Sequence, residues 1–205
     1  MRCLILSSCI VILMGCSSAF KHLQATTGDT ANLQKFKPVF SVALYKASID
    51  VTGNHLSGLL MIKKMPDSSD RLVFSNEIGF KFFDFEFAPN GAFKVHSIIK
   101  QMDKKALIKT LRKDFALVMM KGTESSNVLI RKEEGLVYYT YPQASGYNHY
   151  ITNTTGDELV RMERSSKRKT VMEAIMRNYS KGMPDTIGIT HKNFNFTIGL
   201  KRLAR

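Results

Sequence analysis

Tryptophan is absent from this chain, and cysteine is confined to Cys3, Cys9 and Cys16. Beyond residue 16 there is therefore no thiol nucleophile, no cysteine zinc ligand and no partner for a disulfide. The fold must rest on its own core, for which an apolar content of 44% is sufficient. Histidine is sparse as well. His22, His55, His96, His149 and His191 are scattered, and no two stand four apart as a helical zinc pair requires. There is no phosphate-cradling glycine loop and no serine elbow. No apolar run reaches the roughly 20 residues that cross a bilayer as a helix. Acidic residues are few: 17 Asp and Glu face 30 Lys and Arg, a formal charge of +13. That balance points to an acidic partner.

What is present begins at the amino terminus. Arg2 precedes an apolar stretch from Cys3 to Met14, and the small residue Gly15 precedes Cys16. A charged start, a short apolar middle and a small-residue end make a secretory signal. Leu13-Met14-Gly15-Cys16 resembles the lipobox of bacterial lipoproteins. The resemblance implies cleavage before Cys16, a diacylglycerol on its sulfur and an acyl chain on its new amino group. An ordinary signal peptide with an incidental cysteine is the alternative. Two acyl chains already hold a protein stably on a membrane. Ser17 and Ser18 follow, with no aspartate that signals inner-membrane retention in some bacteria, which favours the outer membrane. Export argues against nucleic acid as the partner and favours anionic lipid head groups. Each Lys or Arg near such a surface contributes about 1 kcal/mol. Plain solubility is the competing explanation of the charge. The expected division is a signal peptide over 1–15, a lipidated N-terminus with a polar tether over 16–36, and one folded domain over 37–205.

From Val39 the pattern is mostly β. Strands are expected at Val39 to Val51, His55 to Met65, Arg71 to Glu77, Phe80 to Ala88 and Phe93 to Ile99, separated by Gly, Asn, Pro and Asp turns. One helix interrupts them. Asp103 is its expected N-cap, Leu107, Leu111, Phe115 and Val118 share one face, and Gly122 is its expected stop. Strands resume at Val128 to Lys132, Leu136 to Tyr141, Tyr147 to Asn153 and Leu159 to Ser165. Thr170 to Tyr179 fits either a helix or a strand; Thr186 to Thr190 and Phe194 to Leu203 close the domain. About ten strands and one good helix suggest a strongly curved antiparallel sheet with the helix on its concave side.

Several strands are apolar on both faces, Ser57 to Ile62 and Phe80 to Phe87 above all. Two apolar faces need two coverings, or one covering and a ligand. Eleven methionines suit an adaptable apolar cavity, although methionine is as often core filler. Asp84 and Glu86 share one strand face as a candidate carboxylate pair, with His96 able to join them across a hairpin. A solvated face opposite Phe83 and Phe85 is the preferred reading.

The order of these features resembles LolA/LolB-type lipoprotein carriers, and LolB more closely because of the lipobox. His55 to Ile62 is similar to the family's early strand with its Ser-Gly entry. Arg71 to Gly79 is similar to the strand ending in Asn-Pro-Leu-Gly, and Met183 to Ile189 with the closing strand resembles the family's ending. The resemblance implies a mainly β fold, a curved half-open β-barrel with a helix covering an apolar concave face. It implies a non-catalytic lipoprotein, lipidated at Cys16, that binds acyl chains of client lipoproteins and helps insert them in the outer membrane from its periplasmic side. No metal or cofactor is implied. Ile78, Gly79 and Phe80 would form the membrane-insertion loop. Leu60, Ile62, Phe74, Phe83, Phe85, Leu107, Leu111, Phe115 and Val118 would line the cavity. The partners would be lipoprotein acyl chains, an anionic membrane surface and a periplasmic LolA-like carrier, with no nucleic acid. Glu77 stands where the family has proline, and the family's tryptophans are missing. The alternatives are a structural lipoprotein bracing an envelope complex and a lipid-binding envelope protein with another client. A hydrolase of envelope lipid or glycan lacks a recognisable nucleophile.

Overall fold

The computed structural model describes Phe20 and residues 22–203. The signal segment, the lipobox and Cys16 lie outside the described residues. The first elements are β1 (Gln24–Ala25), α1 (Ala31–Gln34), β2 (Val42–Val51), β3 (Asn54–Lys64), β4 (Asp70–Ser75), β5 (Lys81–Phe87) and β6 (Phe93–Ile98). Then come α2 (Lys105–Val118), β7 (Leu129–Glu133), β8 (Leu136–Gln143), β9 (Gly146–Asn153) and β10 (Leu159–Ser165). The chain ends with β11 (Thr170–Ser180), β12 (Met183–His191) and β13 (Phe196–Arg202).

The thirteen strands form one antiparallel sheet in the order β1-β7-β8-β9-β10-β11-β12-β13-β2-β3-β4-β5-β6. The β13–β2 pairing joins the two halves, with Ile198 opposite Ile49. The outermost strands, β1 and β6, do not pair, so the barrel is half open. This order fixes the place of α2. The chain leaves β6 at one edge and enters β7 beside the other, and the connection crosses the concave opening. α2 accordingly reaches strands on both sides: Phe115 lies 6.1 Å from Phe83 of β5, and the Tyr150 hydroxyl of β9 donates to the Leu117 carbonyl at 3.4 Å.

Period-two alternation builds the core. Tyr45, Ala47 and Ile49 of β2 point inward, as do Met172, Ala174 and Met176 of β11 and Ile187 and Ile189 of β12. The segment that fitted either helix or strand is a strand because these alternate residues meet the core. Lys181 and Gly182, both at positive φ (53° and 73°), then make its tight hairpin turn. The strands expected to be apolar on both faces bury one face fully; Leu59 and Met61 on the outer face of β3 are only partly covered, and Phe82, at the register shift of β5, packs on Phe74 at 4.8 Å. At the start of the paired stretch of β3, Gly58 passes so close to β4 that a Cβ would sit 2.1 Å from the Ser75 carbonyl oxygen.

Three local expectations are corrected. The N-cap of α2 is Lys104, in extended conformation with no side-chain hydrogen bond, and Asp103 lies before it. The helix stops at Met120 rather than Gly122. Met120 takes the left-handed conformation (φ 52°), and the Lys121 amide donates to the Ala116 carbonyl at 2.9 Å, as a Schellman cap requires. Burial of the Met120 side chain tolerates the strain that glycine would avoid. The third concerns the tether. Residues 22–36 pack on the domain: β1 pairs with β7, and Leu33 is inside the main core. Phe20 and Leu23 form a small outer cluster with Tyr138 and Ile151. The polar average of this segment conceals three well-spaced large apolar residues, Leu23, Leu33 and Phe36.

Candidate lipid-binding face and membrane-facing tip

The sheet brings the expected cavity residues together. Leu60, Ile62, Phe74, Phe83 and Phe85 project from β3, β4 and β5 onto the concave face, and Leu111, Phe115 and Val118 descend on them from α2. All eight are buried; Leu107 packs against the same cluster and is partly exposed. Phe83 stacks on Phe85 at 4.3 Å and meets Phe74 at 5.5 Å. With α2 in place the bulky side chains fill the concavity rather than line a void. A cleft of about 960 Å³ opens elsewhere, beside the C-terminal end of α2, lined by Lys37, Val39, Phe40, Lys64, Asp70, Met119 and Lys121. None of the nine expected residues lines it.

A buried ionic contact holds α2 down. Asp114 lies on the helix face that carries Leu111 and Phe115, and it is wholly buried. Its Oδ2 meets His191 Nε2 of β12 at 2.8 Å. Its Oδ1 lies 2.9 Å from Arg164 Nη2 of β10, off the direction a hydrogen bond needs, so that contact is charge to charge. Burial pushes the Arg164 pKa down, and the Asp114 charge pulls it back. The His191 ring stacks on Phe196 of β13 at 4.9 Å and lies tilted 4.7 Å from Phe194 of the β12–β13 turn. Residue pattern gave one signal for this contact: an acid at a position where the helix repeat calls for an apolar side chain.

The β4–β5 hairpin presents the expected tip. The Asn76 amide donates to the Phe80 carbonyl at 2.9 Å, and Asn76 Oδ1 accepts from the Phe80 amide at 2.8 Å. Gly79 takes φ +89°, which closes the turn. The Ile78 side chain stands at the apex, 91% exposed, and Phe80 is 56% exposed with its ring edge-on to Phe82 at 5.8 Å. An isoleucine so exposed costs free energy in water unless it meets an apolar surface.

The carboxylate pair is structural. Asp84 is buried on the outer face, not solvated, because Arg71 folds over it: Nη2 donates to Oδ2 at 3.0 Å, and Nε also bonds the carboxylate. Burial alone would raise the Asp84 pKa, but Arg71 and Lys81 outweigh it and hold the carboxyl below its ordinary value. His96 does join across the hairpin, at 2.7 Å from Glu86. A second polar set, Thr140–His149–Ser165, crosses β8, β9 and β10 with both ring contacts at 2.9 Å. Phe20 stacks over His149 at 4.4 Å and shuts it from solvent. Burial pushes the His149 pKa down to about 4. Among the described residues no three His, Cys, Asp or Glu side chains are placed to hold a metal ion, and no helix is long and apolar enough to cross a membrane.

No protein-family model and no curated protein sequence matches the chain. Solved structures do. A LolA superfamily protein from Nitrosomonas europaea is similar at TM-score 0.52 and 7% identity, over 87% of this chain and 93% of that one. A DUF1329 family protein from Desulfovibrio piger is similar at 0.48 and 10%, over 84% and 87%. A domain ascribed to outer membrane lipoprotein sorting, from Vibrio parahaemolyticus, is similar at 0.47 and 9%, over 85% and 90%. The first likeness establishes a LolA-type fold. At that identity it concerns the fold alone, and it does not single out LolB.

Proposed function

We propose that this protein is an envelope lipoprotein that accepts acyl chains of client lipoproteins on its concave face and passes them to the outer membrane. It is lipidated at Cys16, faces the periplasm and breaks no bond. The observation that carries this reading is the construction of the concave face. An apolar sheet surface lined by Leu60, Ile62, Phe74, Phe83 and Phe85 is covered by one amphipathic helix hung between the two edges of an open barrel. An acyl chain would take the place of Leu111, Phe115 and Val118 as α2 lifts. Each buried methylene is worth about 0.8 kcal/mol in the protein as in the bilayer, so transfer between them is nearly balanced. The exposed Ile78 and Phe80 supply the point at which the carrier touches the membrane. A LolA-like periplasmic carrier is the expected donor of the client.

The test is uptake of a fluorescent fatty acid together with client localisation. The carrier reading expects saturable uptake, displaced by acylated peptide, and mislocalised clients in an Ile78→Glu strain. Absence of uptake with normal localisation would refute it. One observation favours a second reading, a structural lipoprotein that braces an envelope complex: the concavity is filled by the protein's own side chains. That reading expects no uptake and a stable protein partner on crosslinking.

A further inference from the structure

The turns at the two rims of the half-barrel differ in charge, while exposed apolar side chains occur on both, Ile78, Phe80 and Phe194 on one and Val39 and Val42 on the other. The Ile78 rim holds the β2–β3, β4–β5, β8–β9, β10–β11 and β12–β13 turns. These turns carry Lys167, Arg168, Lys169 and Lys192 against Glu77, a net of +3. The opposite rim holds the β3–β4, β5–β6, β7–β8, β9–β10 and β11–β12 turns. They carry Lys181 against Asp67, Glu134, Asp157 and Glu158, a net of −3. The β6–α2 connection adds Lys100 and Lys104 against Asp103 to the basic rim, while Lys37, Lys64 and Lys121 against Asp70 and Glu124 line the cleft at the opposite one. Lys167, Arg168 and Lys169 form no ion pair among the described residues, and Lys192 meets Glu173 only at 3.9 Å. Their turn is shaped rather than loose: Ser166 Oγ accepts from the Arg168 and Lys169 amides at 3.1 and 3.0 Å. Lys104 and Lys105 also stand at the N-terminus of α2, where no acid occupies the first turn and cations oppose the helix dipole.

A second apolar point lies on the same rim. Phe194, in the β12–β13 turn, is 42% exposed although its ring lies 4.7 Å from that of His191. Four strand spacings separate this turn from the Ile78 hairpin, about 19 Å along the sheet. Phe20 is seated over His149, four residues from the β8–β9 turn of that rim. Cys16 is four residues earlier, so an acyl anchor there is within about 14 Å of Phe20.

We infer that the whole basic rim, and not the Ile78 tip alone, docks on an anionic lipid surface, with Phe194 as a second insertion point and Lys167, Arg168, Lys169 and Lys192 holding head-group phosphates. This rests on the reading of the protein as a membrane-anchored carrier and adds its orientation: acidic rim away from the membrane, strands steep to it. Charge complementarity selects an anionic bilayer, since the cations surround two exposed apolar side chains on one edge.

The absence of tryptophan gives a clean test. Ile78→Trp, Phe194→Trp and Thr154→Trp, the last on the acidic rim, are each made in the full chain produced in a bacterial envelope. Each is reconstituted into phosphatidylglycerol vesicles with brominated acyl chains. Quenching at positions 78 and 194 but not 154 is expected, and replacing Lys167, Arg168 and Lys169 by glutamine should weaken association about fivefold per charge removed. Quenching at 78 without 194, quenching at 154, or equal quenching in neutral phosphatidylcholine would overturn the inference. Fatty-acid uptake on the same variants without vesicles separates the two proposals. Intact uptake with the wrong quenching pattern defeats only the docking rim, and the expected pattern without uptake defeats only the carrier.

Discussion

Replacing Asp114 by alanine should loosen α2 more than it loosens the sheet. The carboxylate is wholly buried and faces His191 at 2.8 Å and Arg164 at 2.9 Å. Removing it leaves a guanidinium, 13% exposed, without its counter-charge. Breaking a buried pair in this way costs about 3–5 kcal/mol. The low end applies, because the Arg164 contact is misaligned for a hydrogen bond and its loss forfeits charge attraction alone. About 3 kcal/mol corresponds to roughly two decades in an opening equilibrium. Hydrogen exchange read by mass spectrometry should therefore show α2 amides exchanging about a hundredfold faster, with β3 to β5 changed much less. If α2 must lift to admit an acyl chain, uptake of a fluorescent fatty acid should accelerate in the same variant. Exchange that rises equally in α2 and the sheet would refute the separable helix. Faster α2 exchange with unchanged uptake would refute the helix as the gate.

Other outcomes follow from single contacts. Ile78→Glu should change the unfolding free energy in urea by less than about 0.5 kcal/mol, because the side chain makes no core contact, while client delivery falls; normal delivery would remove its role. Gly58→Ala should destabilise by about 2–4 kcal/mol, since its Cβ meets the Ser75 backbone at 2.1 Å; a near-neutral result would mean that β3 and β4 separate easily. Arg71→Ala leaves Asp84 buried without its bidentate partner and should cost about 2 kcal/mol in denaturant unfolding. His149 gives a pH dependence. Its folded pKa, about 4, lies below the unfolded value near 6.5, so the unfolded chain takes up the proton first. Stability is complete above about pH 7 and falls as pH drops from 6.5 toward 4, by roughly 3 kcal/mol over the whole window. His149→Gln should flatten that fall, and an unchanged slope would assign it to other groups.

Much of the fold was legible along the chain. Alternation in β2 and β13 and the repeat of Leu107, Leu111, Phe115 and Val118 mark strand and helix faces directly, because each reports a single buried surface. The exposed Ile78 came from the family resemblance rather than from pattern, since a single apolar residue in a short turn carries no periodicity. Contacts set by distance in sequence were not legible. Asp114 and His191 are 77 residues apart, and nothing in either neighbourhood announces the other. The filled concavity was hidden because a pattern identifies which side chains face inward, not whether they meet. The N-terminal segment was misjudged from its polar average; Leu33 alone, placed in the core, outweighs several exposed polar neighbours.

Native mass spectrometry of the protein purified from a bacterial envelope tests the central claim most directly. The account predicts discrete added masses matching lipid or acylated peptide, lost on addition of excess fatty acid and more abundant in Asp114→Ala. A clean mass without adducts in both proteins, and no fatty-acid binding, would contradict it and leave the filled core as the permanent state of the concave face.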